Sequence, residues 1–160
     1  MTIKQTFAPV TRKINTLMRT FDEEYSASLA TDFAACSEES CITYAIAVSE
    51  LQQSAFSRNF VRRFPACADF NPWTLALMHE IGHLEMAYDD IDDRAARERL
   101  QALYDTNPAQ ANSRYFRLHN ERNATDWAGE YLTAHHDEMR VWEIKIMRTL
   151  KKVLDKIIDE

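Results

Sequence analysis

Residues 71–88 read Asn-Pro-Trp-Thr-Leu-Ala-Leu-Met-His-Glu-Ile-Gly-His-Leu-Glu-Met-Ala-Tyr. Asn71 is a good N-cap and Pro72 suits the first helical position, so the stretch predicts a helix to about Tyr88. Leu75, Ala76, His79, His83, Met86 and Ala87 fall on one side of it, and Trp73, Leu77, Ile81, Leu84 and Tyr88 on the other. A helix apolar on both sides is buried between layers. Within it, residues 79–83 form His-Glu-Ile-Gly-His. Histidines at i and i+4 share one helix face and can reach one metal ion. Glu80 is turned about 100° from His79, where it can meet a metal-bound water without ligating. Gly82 lets another backbone approach at no steric cost. Burying two imidazoles and a carboxylate without a shared partner costs several kcal/mol, roughly, and a metal ion is the simplest common partner.

Outward from this helix the chain reads mostly as helices. Residues 8–28 carry Val10, Ile14, Leu17, Met18, Phe21 and Tyr25 at helical spacing, and residues 41–48 mix β-branched and aromatic residues as a strand does. Ser49 is placed to cap a helix bearing Phe56, Phe60 and Phe64, which Pro65 ends. Downstream, Asp92 and Asp93 open a helix that uses Ile91, Ala95, Ala96, Leu100 and Leu103 and stops before Pro108. Residues 113–136 read as helical with a break near Asn120. A final helix over 137–158 shows Trp142, Ile146, Leu150, Val153 and Ile157 on one stripe, which predicts packing on the domain, a coiled-coil homodimer being the minority option. The expected class is α+β, dominated by helices, with a small sheet formed early in the chain.

Length and composition bound the function. The chain has 160 residues, about one domain, with 46% hydrophobic and 28% charged residues, which excludes wholesale disorder. Two glycines and four prolines argue against a turn-rich β sandwich. No apolar run approaches the ~20 residues of a membrane span, and MTIKQTFAPVTRK has no secretory h-region. A cytoplasmic protein is expected. Net charge is −6, so no nucleic-acid partner is suggested; the groups Arg58, Arg62, Arg63 and Arg148, Lys151, Lys152 read as solvated helix faces. Cys36, Cys41 and Cys67 lack metal-site spacing and read as reduced thiols.

Zinc held by two histidines needs a third protein ligand and an open position for water. His119, Glu121, Asp126, Glu130, His135 and His136 are the downstream candidates. On a helix, Glu121 shares a face with Ala124, Thr125 and Ala128, and those small residues let its helix press against the motif helix. His135 and His136 lie roughly 20 Å further along such a helix and cannot share an ion with Glu121. Glu121 is favoured, with His119 the alternative.

The pair HEIGH and Glu-Arg-Asn-Ala-Thr-Asp-Trp-Ala, residues 121–128, resembles the small gluzincin-type metallopeptidases of phages and mobile elements, related in pattern to the ImmA/IrrE-like group. The resemblance covers roughly residues 41–135. It implies a minimal zincin-like domain over residues 1–160, with a small sheet on the HExxH helix and a C-terminal helical layer. It implies one Zn2+ per chain on His79, His83 and Glu121, with Glu80 as general acid/base. The implied activity is hydrolysis of a protein or peptide substrate by zinc-activated water, in the cytoplasm of a bacterial host. Where thermolysin-like sequences place an acid four residues after the ligand glutamate, this chain has Thr125, with Asp126 next. Glu85, Thr125 and Asp126 are the candidates to orient the histidines. Tyr88, Tyr115, His119 and Arg114 are candidates to stabilise an oxyanion. Two other readings compete: a catalytically silent, metal-stabilised module that binds a host protein, and an all-helical protein that dimerises through 137–158.

Overall fold

The computed structural model describes residues 1–48 and 50–159, the side chains of 50–54 excepted. Ser49, read above as a helix cap, lies outside the described residues. The chain opens with α1 (Ile3–Thr6) and α2 (Ala8–Met18), then forms β1 (Ser26–Leu29), β2 (Ala34–Cys36) and β3 (Cys41–Tyr44). Helices α3 (Glu50–Arg63), α4 (Pro72–Glu85), α5 (Arg94–Tyr104), α6 (Pro108–Tyr115), α7 (His119–Ala134) and α8 (His136–Ile158) complete it. The class is the expected one, α+β and mostly helical.

The first stretch departs from its reading. The helix begun at Ala8 ends at Met18, not near residue 28, and residues 26–29 are strand. Thr20 folds its hydroxyl back onto the Leu17 carbonyl at 2.6 Å, and Asp22 accepts from the Glu24 amide at 2.9 Å, closing a turn. Beyond it, Ala27 and Leu29 are buried while Ser26 and Ser28 are exposed. That is a period of two, written in residues too small and polar to announce a strand. The strand begun at Cys41 is also shorter than expected: it stops at Tyr44, and the Ala45 carbonyl accepts from the Trp73 indole at 2.8 Å.

The strand order is β1-β3-β2. β3 is central, parallel to β1 from Ser26↔Cys41 to Leu29↔Tyr44, and antiparallel to β2 from Ala34↔Thr43 to Cys36↔Cys41. β2 is therefore an edge strand.

Helix α4 starts as the sequence dictates: Asn71 Oδ1 accepts from the Trp73 amide at 2.9 Å and Pro72 follows. It buries Trp73, Leu75, Leu77, Met78, Ile81 and Leu84 around its circumference, as a helix apolar on both sides must. It lies between the sheet, met at β2 and β3, and α7. The helix ends at Glu85, three residues before Tyr88, and a 3-10 turn spans Ala87–Asp89.

The α4–α7 packing depends on small residues. A Cβ on Gly82 would lie 2.4 Å from the Ala124 carbonyl oxygen. α8 returns across α2 and α7 and buries Met139, Ile146, Leu150 and Val153. Its stripe is thus spent inside the molecule, while Ile157 at its end is exposed. Among the described residues no helix is long and apolar enough to cross a membrane.

Candidate metal centre

His79 and His83 project from the same face of α4 one turn apart, their rings edge to face with centroids 4.7 Å apart. Across from them, α7 begins at His119, and its first turn brings Glu121 to the same point. Glu121 Oε2 lies 2.8 Å from His79 Nε2 and 3.0 Å from His83 Nε2. Gly82 and Ala124 make that reach short enough, because the two backbones nearly touch there.

The electrostatics are those of a buried carboxylate bonded to two imidazoles. The Glu121 side chain is 6% exposed. Burial alone would push its carboxyl up, but the two imidazoles hold it far below the usual carboxylate range. Burial opposes protonation of His83, and Glu121 overcomes that and raises its pKa above the ordinary imidazole value. Burial pushes the Glu80 carboxyl up, against the pull of His79 and His83.

The donor set could hold a metal ion. His79 Nδ1 lies 3.0 Å from Thr125 Oγ1. In the tautomer with its proton on Nδ1, Nε2 would be free to ligate a metal ion; with the proton on Nε2 it donates to Glu121 Oε2. The three ligating atoms lie within 4.8 Å of one another. Tetrahedral zinc with bonds of 2.0–2.1 Å asks for neighbours about 3.3 Å apart.

Each residue singled out from sequence has a place. His79, His83 and Glu121 converge, and Glu80 lines the adjoining cleft. Thr125 supports His79. Glu85 instead accepts from the Tyr25 hydroxyl at 3.4 Å, and Asp126 from Arg63 Nε at 2.9 Å. His119 faces away from the centre: its Nε2 lies 2.9 Å from the Asp89 carbonyl and 3.2 Å from Asn123. Glu130 is exposed, and His136 pairs with Asp69 at 2.9 Å. Among the oxyanion candidates, Tyr115, itself 37% exposed, lies beside Glu121 and Arg97, whereas Tyr88 is 84% exposed and Arg114 is also exposed.

The cleft has two halves that share Phe33, Glu80 and Tyr115. One, about 240 Å³, is walled by Phe33, Val48, Phe56 and Phe116 beside His79. The other, about 350 Å³, is polar and runs from the edge strand, at Ala34 and Ala35, to His83 and Glu121.

No family model, curated protein or solved structure matches this chain. A functional reading therefore rests on the centre itself.

One residue of the centre was not legible in sequence. Arg97 donates through Nη2 to Glu121 Oε1 at 3.0 Å. Its pairing with Asp93 four residues earlier is a visible helix pattern, but nothing near residue 97 points to residue 121.

Proposed function

We propose that the protein is a zinc-dependent metallopeptidase that holds one Zn2+ on His79, His83 and Glu121. The observation that carries this is the convergence of His79 Nε2, His83 Nε2 and Glu121 Oε2 beside a cleft that Glu80 also lines. Zinc held there would acidify a coordinated water and polarise a substrate carbonyl.

The chain's own residues supply the rest. Glu80 accepts the proton of the attacking water and returns it to the departing amine. Burial holds its carboxyl above the ordinary value, closer to the pH at which an acid/base works. Tyr115 supplies a hydroxyl at the junction of both halves of the cleft. The free edge of β2 gives an extended peptide a row of backbone groups to pair with. A fourth protein ligand would instead favour the silent interaction module. His119, the residue that could supply it, bonds Asp89 and Asn123.

The test is metal analysis by plasma mass spectrometry on wild type and Glu121→Ala, followed by a peptide-library cleavage assay on wild type and Glu80→Gln. About one zinc per chain, lost in Glu121→Ala, with cleavage that Glu80→Gln abolishes while keeping its zinc, is the expected outcome. Stoichiometric zinc with no cleavage of any library would move the protein to the interaction-module reading. No zinc after zinc-replete expression would end the metal reading altogether.

A further inference from the structure

The two oxygens of Glu121 have different company. Oε2 faces both imidazoles, and Oε1 accepts from Arg97 Nη2 at 3.0 Å. Arg97 Nε lies 2.9 Å from Asp93 Oδ2, and the guanidinium sits 5.7 Å from the centre of the Tyr115 ring. With a carboxylate on each side, Arg97 has no unbalanced charge to offer a substrate carboxylate. Its planar guanidinium hydrogen-bonds Glu121 while Nε stays paired with the Asp93 carboxylate, a fixed spacing that a single ammonium does not reproduce.

The element that carries Arg97 is thinly held. α5 buries no residue, and α6, which packs on it, buries only Ala111. Segments with so little buried apolar contact open at low cost. The hairpin 94–115 meets the body of the molecule through few features. Besides Arg97, Tyr115 at the end of α6 lies against Glu121, and just ahead of the hairpin Asn120 at the start of α7 brackets Ile91, accepting from its amide and donating to its carbonyl, both at 2.9 Å. The Phe116 ring, just past α6, stands 6.4 Å from that of Phe56. Asn112, Tyr115 and Phe116 line the cleft from the hairpin side.

The geometry points to Arg97 as a positioning residue that latches the α5–α6 hairpin to the metal centre, so that metal binding and hairpin docking favour each other. This rests on the metal-site reading above. With Oε1 held by Arg97, Glu121 presents Oε2 to the same point as the imidazoles; when the hairpin lifts, that constraint goes with it. Linkage makes the effect mutual: whatever docking adds to metal affinity, metal adds to docking.

Zinc affinity by chelator competition, the visible spectrum of the cobalt-substituted protein, and hydrogen exchange of residues 94–115 with and without zinc test the latch. They are measured on wild type, Arg97→Gln, Arg97→Lys and Arg94→Gln, with circular dichroism to establish that each is folded. Among the described residues Arg94 pairs only with its neighbour Asp92, and it controls for loss of a charge on the same helix.

In wild type, zinc should slow exchange across 94–115. Arg97→Gln should weaken zinc binding about 10–100-fold, alter the cobalt spectrum and lose the zinc-dependent slowing. Arg97→Lys should fall between, and Arg94→Gln should match wild type. A folded Arg97→Gln with wild-type zinc affinity, or a wild type whose hairpin exchange ignores zinc, overturns the latch while leaving the metal centre standing. A wild type that binds no metal overturns both.

Discussion

Thr125 lies one helical turn after Glu121, and its hydroxyl lies 3.0 Å from His79 Nδ1. A hydroxyl can orient the ring, but it adds no negative charge to the imidazole as a carboxylate would. Thr125→Val keeps the shape and removes the hydrogen bond, so zinc affinity should fall about 10-fold, toward the low end for such partners, with the fold intact. Chelator competition would read it, and an unchanged affinity would mean that packing by Phe56, 5.3 Å from the ring, orients His79. At this scale the sequence was most legible where local geometry decides. The i, i+4 histidines had to share a face, and the small residues after Glu121 had to lie against another helix. Arg97 was not legible, because its partner is 24 residues away on another element and only the tertiary fold brings them together.

At the scale of elements, the α4–α7 contact is the one the site depends on. Alanine at position 82 should gain about 1 kcal/mol of helix propensity. Its Cβ would meet the Ala124 carbonyl, a backbone atom that cannot turn aside. Overpacking of this kind costs about 1–3 kcal/mol, so Gly82→Ala should lower stability and also weaken zinc binding as the two helices part. Chemical denaturation reads the first, and a stabilised variant would show that the helices can separate freely.

The start of α8 is tied down differently. His136 sits between Asp137 and Asp69, with Arg140 also 3.7 Å from Asp69. Hydrogen bonds to Asp137 and Asp69 raise His136 above its ordinary 6.5, and His136 lowers Asp69 below its ordinary 3.8. A raised base stabilises fully below its ordinary value and loses the effect as pH rises through the folded one. A lowered acid stabilises above its ordinary value and loses the effect as pH falls through the folded one. The pair should therefore contribute most between pH 3.8 and 6.5. The melting-temperature gap between wild type and Asp69→Asn should be widest in that window, and a gap constant with pH would show that the pair is not what Asp69 contributes. Long elements such as α4, capped by Asn71, and α8 were legible in the sequence. β1 and β2 were not: Ser-Ala-Ser-Leu and Ala-Ala-Cys carry too little apolar contrast, and their pairing with β3 makes them strands.

Across the whole molecule, one hydrophobic core runs from Phe7, ahead of α2, to Val153 in α8. Into that core the fold sets a buried carboxylate and two histidines whose ligating atoms come from α4 and α7. Without an ion, these groups hydrogen-bond one another, Glu121 Oε2 reaching both imidazoles. With an ion, the same atoms would join the two helices through metal bonds in place of the hydrogen bonds that Glu121 accepts from His79 and His83. A ligand that binds only the folded state adds about 2.7 kcal/mol when its free concentration is a hundred times its dissociation constant. For a domain of this size that amounts to about 5–10 °C, taking 2–4 °C per kcal/mol. Chelation should therefore lower the melting temperature by that order, zinc should restore it, and Glu121→Ala should melt at the same temperature with or without chelator. The exchange of α5 and α6 should rise on chelation before that of α4 and α7, because the hairpin has little buried surface of its own to keep it docked. A wild type indifferent to chelator, despite stoichiometric zinc, would mean that the ion sits on a scaffold already rigid without it.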